Sequence, residues 1–331
     1  MQTIRGEIAP KSVAATGEGL VFAQNMMYEH TVTVYDAWGH LEATIPDSVR
    51  LSKYGFEAYD QVVAGSPVEA AFSPDGRWAY VTNYSMYGPG FPSPGHDECS
   101  PADGHDDSFV YRIDVERKVI ADAIRVGSTP KVVATSPDGR LVLVTNWCSY
   151  DLSVVSAAKG KEIRRIPLGA YPRGIAIDEE SRYAYVAVMG SVRIARIDLR
   201  TFKIAWIDAG GSGPRALVLS PNGRYLYATL NSSYAISKID LVEGGVVGRV
   251  GVGANPRSMA IASDGGSLYV VSYGADVVSK VRTEDMKVIQ TIPTGTDPIG
   301  ITYEPTRDRV WVSCYTGSIM IFREVPSPEA A

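Results

Sequence analysis

The chain is poor in the residues that most often carry chemistry. Its 331 residues include four histidines and three cysteines. Three cysteines are too few for a disulfide-built scaffold. No CxxC or CxxCH occurs, which removes zinc ribbons, thioredoxin-type redox sites and c-type haem. No apolar run approaches the ~18 residues of a membrane span. Basic residues are also in the minority: 32 Lys and Arg stand against 37 Asp and Glu, for a net charge of −5. No global field therefore favours nucleic acid or an anionic membrane. The opening MQTIRGEIAPKS has no apolar core of signal-peptide type. These absences lead us to expect a soluble monomer with no membrane partner. It would be cytoplasmic, or exported if a leader has been removed.

What the chain does have is a repeat. One proline recurs in a similar setting seven times: APKSVA, SPVEAA, TPKVVA, YPRGIA, GPRALV, NPRSMA and DPIGIT. These are Pro10, Pro67, Pro130, Pro172, Pro214, Pro256 and Pro298, the last five spaced 42 residues apart. Each opens a short apolar strand. Several of these strands run into SPDGR or SPNGR, which supplies the fixed and positive φ values of a tight reversal. Second strands such as RLVLVTN and RYLYATL follow, then third and fourth strands such as LSVVSAA and KVIQTIPTG. Four β-rich strands per unit of this length, with no comparable helical stretch, predict propeller blades. Seven starts predict seven blades. The last repeat lacks its fourth strand, and MQTIRGEIAP resembles the fourth-strand segment KVIQTIPTGTDP. The expected fold is all-β: a single seven-bladed propeller over residues 1–331, its four-stranded antiparallel blades closed by the N-terminal strand.

WAYVTN (78–83) and LVLVTN (141–146), each preceded by SPDGR, resemble the YVTN-repeat β-propeller family, which includes YncE-like proteins. The resemblance covers essentially the whole chain. It implies the propeller fold and no single activity. Some relatives are surface-layer or exported proteins and at least one binds nucleic acid. Other seven-bladed propellers include lactone hydrolases and a streptogramin-type lyase.

Antiparallel topology puts the loop between strands two and three on the same face as the crossing into the next blade. Both departures from the repeat fall on that upper face, at about 47–62 and 86–107, and they flank one blade. Long loops on a rigid scaffold carry function or form a lid, so this face is the expected site.

The residue after each marker proline is cationic in five of seven cases: Lys11, Lys131, Arg173, Arg215 and Arg257. Such a rim would attract an anion. Equally, strand alternation would let these side chains reach carboxylates or carbonyls of the next blade. One position on, Ser12, Glu69, Val132, Gly174, Ala216, Ser258 and Gly300 are expected to face the central channel, with Glu69 its only charge. Asn25, Asn83 and Asn146 end the second strands of the first three blades, either capping the turn or meeting a ligand.

The second insertion gathers His96, Asp97, Glu98, Cys99, Asp103, His105, Asp106 and Asp107. Clustered His and carboxylate suggest Zn2+ or Ca2+, although the spacing fits no standard motif and a solvated loop has the same composition. Cys99 and Cys148 lie in equivalent loops of adjacent blades, so a disulfide is geometrically open to them; a cytoplasmic setting argues against it. The aromatics of the insertions (Tyr54, Phe56, Tyr59, Tyr84, Tyr87, Phe91), with Trp147 and Tyr150 beside them, either wall a pocket or form a small core. The inner strands hold no histidine, which disfavours copper and haem.

The expected function is binding of an anionic or aromatic small molecule, or of a protein partner, beneath the insertions. The alternative is a lyase or hydrolase, metal-assisted, with His96 or His105 as acid/base and Glu69 as a further catalytic candidate. Nucleic-acid binding at the cationic rim is the minor reading.

Overall fold

The computed structural model describes residues 1–323. Seven antiparallel sheets follow one another around a ring, and the described residues contain no α-helix, only short 3-10 turns at Leu51–Tyr54 and Pro101–Asp103. Blade 1 consists of Pro10–Ala15, Leu20–Asn25, Thr31–Asp36 and Leu41–Pro46. Blades 3 to 6 span 130–167, 172–208, 214–251 and 256–293. In every blade but the second, the innermost strand begins at the marker proline. A strand's first residue is a position where the missing N–H costs no ladder bond.

The SPDGR and SPNGR turns explain the sharp reversal after the innermost strands of blades 2, 3 and 5. Ser73, Ser136 and Ser220 each accept, at 2.9 Å, the N–H of the residue opening the second strand. The same hydroxyls donate to the side chains of Asp75, Asp138 and Asn222. Gly76, Gly139 and Gly223 supply φ values near +70° that a Cβ would oppose.

Second strands are buried on both faces, so alternation sorts their residues between neighbouring blades. Val142 and Val144 pack towards blade 2, and Leu143 towards blade 4. Each blade-to-blade contact has its own apolar cluster of this kind. A fully buried Val, Leu or Ile contributes about 1.5–3 kcal/mol, so the ring is held by many equivalent contacts. Blade 7 comprises Pro298–Glu304, Arg309–Cys314 and Ser318–Arg323, and Gln2–Arg5 completes it, with Gln2 opposite Ile321 and Ile4 opposite Ile319. The two ends of the chain thus close the ring, as the repeat predicted.

Blade 2 departs from the pattern. Its first two strands, Val62–Phe72 and Trp78–Tyr87, are nearly twice the usual length, and Ser48–Arg50 adds a fifth strand. Ala64 pairs with Tyr87 and Gly65 with Met86, so the hairpin continues past the disc into the insertions. Leu51, Val63, Met86, Phe91 and Phe109 form a separate buried cluster there, with Tyr54, Phe56 and Tyr59 against it. Tyr59 stacks on Phe91 at 4.9 Å, and Phe56 meets Phe109 edge-on at 4.9 Å. These aromatics form the small core that joins the two insertions to the disc.

Candidate functional site

Two register positions build the centre of the upper face. One is the residue after each marker proline. The other is the residue that follows the second-strand partner of each marker proline, as Tyr84 follows Asn83 and Trp147 follows Asn146. In blades 3 to 7 the backbone ties them together. Trp147 N–H donates to Thr129 O at 2.9 Å, Met189 to Tyr171 at 3.0 Å, Asn231 to Gly213 at 2.8 Å, Tyr273 to Asn255 at 3.1 Å and Tyr315 to Asp297 at 3.0 Å. Every acceptor sits immediately before a marker proline, in the left-handed region at φ between 52° and 69°.

The result is a cup of about 220 Å³. Lys11, Lys131, Arg173, Arg215 and Arg257 come from the first position. Met26, Tyr84, Trp147, Met189, Asn231 and Tyr315 come from the second, and Asp97 hangs in from the insertion. Below it lies a channel of about 140 Å³ lined by all seven residues expected to face it, Glu69 among them. Arg173, Arg215 and Arg257 line both cavities, so they form the floor between them.

Among the described residues the cations make no ion pair or hydrogen bond with a carboxylate or carbonyl of the next blade. They lie over the second ring of side chains, several of them on the preceding blade. Lys131 Nζ is 4.1 Å from the centre of the Tyr84 ring and 5.0 Å from that of Trp147. Arg173 lies 5.6 Å from Trp147, Arg257 4.0 Å from Tyr273 and Lys11 5.4 Å from Tyr315. Arg215 donates to Met189 Sδ at 3.6 Å. Among the described residues only Lys131 has a carboxylate partner, Asp97 Oδ1 at 2.8 Å. Among the described residues no ion pair reaches Lys11, Arg173, Arg215 or Arg257. Nε of Arg215 and of Arg257 is buried without a hydrogen-bond partner.

Crowding Lys11, Lys131, Arg173 and Arg215 out of water has electrostatic consequences. Burial, then Arg173 and Arg215, holds Lys11 well below the usual amine range. Burial lowers Lys131 to about 7, because Arg173 adds to that effect and Asp97 only partly offsets it. Burial, opposed by Glu69, brings Arg173 to about 10, and Arg215 is pressed down by burial and by Arg173. Guanidinium groups nonetheless stay charged. Against the opposing effect of burial, Lys131 and hydrogen bonds from Lys131 and Tyr84 hold Asp97 well below the carboxylate range, although 79% of its side chain stays exposed. Burial raises Glu69 against the pull of Lys11 and Arg173.

The second insertion is pinned to blade 3. Cys99 and Cys148 form a disulfide, with S–S 1.96 Å and Cα atoms 5.3 Å apart. Trp147 Nε1 donates to Asp97 O at 2.9 Å, and Tyr150 OH to Cys99 O at 2.8 Å. Trp147 itself stacks on Tyr171 at 4.4 Å.

Other sequence candidates are placed elsewhere. Asn25, Asn83 and Asn146 are fully buried and do not line the cup. Asn25 donates to Thr31 and Thr33, Asn83 to Phe109 O, and Asn146 to Asp151 and Ser153. Alternation turns these side chains into the blade and their successors into the cup. His96 and His105 meet edge-on at 4.8 Å but do not line the cup. Asp103 closes a capping box with Ser100, Asp106 accepts Ser93 N–H at 2.7 Å, and Asp107 pairs with Arg125 and Arg165. Glu98 is exposed. The insertion residues named as metal ligands therefore do not converge, and among the described residues no three His, Cys, Asp or Glu side chains are placed to hold a metal ion. Met26, Met189, Asn231 and Tyr315 went unnoticed in the sequence. Their signal was available: they follow the second strands with the same period as the prolines.

No family model matches the chain, and no curated protein matches it in sequence. Solved structures do. Kuenenia stuttgartiensis hydrazine synthase superposes with a TM-score of 0.77 at 17% identity, over 98% of this chain and 98% of that one. Virginiamycin B lyase from Staphylococcus aureus superposes with a TM-score of 0.73 at 13% identity, over 98% of this chain and 99% of that one. Likeness at such identities shows a shared seven-bladed propeller fold and nothing of the chemistry. Among the described residues no helix is long and apolar enough to cross a membrane.

Proposed function

We propose that this propeller is a receptor for a small organic anion, held in the cup beneath the second insertion. One observation carries this reading. Arg173, Arg215 and Arg257 form the floor of an open cup with no carboxylate paired to any of them among the described residues. Arg173 and Arg215 are buried, with Glu69 acting on them from the channel but no carboxylate paired to them; such an arrangement is costly, and an anionic ligand would offset that cost. The aromatic and thioether walls suit an apolar body attached to the anionic group. The YVTN-like strand motif supports a binding scaffold of that family by resemblance alone. The Cys99–Cys148 bond favours an oxidising compartment over the cytoplasmic one expected from composition.

An enzymatic role drawn from the insertion would depend on His96 and His105, which lie outside the cup. The lyase named above lends its fold at 13% identity and no residue.

Isothermal titration at low ionic strength with phosphate, benzoate and succinate tests the proposal. Saturable binding is expected for at least one, weakened about tenfold or more by Arg215→Gln and reduced by added salt. Absence of binding by all three at millimolar concentration would overturn it.

A further inference from the structure

The cup is electrically lopsided. On the side of blades 2 and 3, Lys131 is almost fully buried and already holds a carboxylate, Asp97 Oδ1 at 2.8 Å, with Tyr84 OH donating to the same oxygen at 3.1 Å. On the side of blades 5 and 6, Arg215 and Arg257 hold none and keep a buried, unpartnered Nε. Asp97 does not belong to the propeller repeat. It reaches the cup on the insertion, and its position is fixed by Trp147 Nε1 on its own carbonyl and by the disulfide two residues further on.

We propose that Asp97 is a tethered intramolecular counter-ion that sets the ligand class: it takes the Lys131 side of the cup and leaves one anionic seat, on the floor arginines Arg173, Arg215 and Arg257. This deepens the anion-receptor reading and rests on it. The protein's own carboxylate stands where a second carboxylate of a ligand would otherwise go. The chain then prefers a ligand with one anionic head and an uncharged body over a dicarboxylate of similar length. A bare field effect makes a different forecast. Removing one negative charge would strengthen every anion, in proportion to the anion's charge, with or without a specific seat.

The test compares benzoate with isophthalate, by isothermal titration, on wild type and Asp97→Asn. The substitution keeps size and the backbone carbonyl that Trp147 uses. Wild type is expected to favour benzoate. In D97N, isophthalate affinity should rise about tenfold or more while benzoate changes less than about 1.5-fold. A rise for isophthalate no larger than the square of the rise for benzoate, which a doubled charge in one field gives, overturns the seat in favour of a field effect, and no change in either overturns the counter-ion. If neither wild type nor D97N binds any anion, the receptor reading has failed instead. A second variant, Cys99→Ser with Cys148→Ser, tests the tether. It should shift selectivity in the same direction as D97N and add nothing when combined with it. Wild-type selectivity in this variant would sink the tether and leave the counter-ion standing, provided circular dichroism shows the propeller intact.

Discussion

Blades 2 and 3 and blades 5 and 6 present the same register position to the same cup and leave it in opposite states. Lys131 and Arg215 both follow a marker proline, and both are almost fully buried. Lys131 has an aromatic wall, a carboxylate and a disulfide-pinned loop around it. Arg215 has a methionine sulfur at 3.6 Å and a buried Nε with no partner. The repeat therefore decides where a cation stands, and the insertion decides whether that cation is satisfied. A symmetric scaffold becomes a one-sided site through a decoration on one blade.

The largest effect should come from the core that carries the decoration. Phe109 is almost wholly buried among Phe56, Tyr59 and Phe91. Phe109→Ala is expected to cost about 3–5 kcal/mol in chemical denaturation. A loss below about 1 kcal/mol would mean that the insertions sit loosely on the disc.

The disulfide comes next. It joins residues 49 apart in sequence, and its removal is expected to cost about 2–4 kcal/mol. Hydrogen exchange should show the loss in the second insertion and blade 3, with amides of blades 5 and 6 unchanged. Uniform loss around the ring would erase the distinction between the two sides.

The third prediction has the opposite sign. Arg215→Met should stabilise the empty protein by about 1–3 kcal/mol in urea, because it removes an uncompensated buried charge, while weakening anion binding. Lys131→Met should bring no such gain, since it strips Asp97 of its partner. Equal gains for both would show that Asp97 contributes nothing to Lys131.

The fourth prediction is a pH dependence. With Lys131 lowered to about 7 from an ordinary 10.5, the unfolded chain holds a proton across that interval that the folded chain has released. This group therefore makes stability rise with pH from about 7 towards 10.5. Anion affinity should run the other way, falling as pH rises through about 7. Lys131→Met should flatten both curves between pH 6 and 9, and titrations across that range would read the difference.

Much of this was legible in the chain. The spacing of the prolines fixed seven blades, and MQTIRGEIAP announced the closing strand. The residues after the prolines gave the cationic ring, and the next residues gave the channel wall. Those features depend on strand alternation and on hydrogen bonds within one repeat, which local sequence specifies. The same regularity would have found Met189, Asn231 and Tyr315 had the position after the second strand been followed as closely as its last residue. Asn25, Asn83 and Asn146 attracted attention because they are polar, yet the one-residue offset turns them away from the cup.

The pairing state of the ring was not legible. The insertion offered two histidines and five acids within a short span, and composition ranked the histidines first. The fold sent Asp97 to the cup and dispersed the others onto Ser93, Ser100, Arg125 and Arg165. Which acid meets Lys131 depends on contacts between Asp97, Trp147 and the two cysteines, separated by up to 50 residues. The sequence by itself determined the ring and the cations upon it, because period and alternation are local. Only the tertiary structure decided which cation is answered, because that choice is made where an irregular loop folds back across two blades.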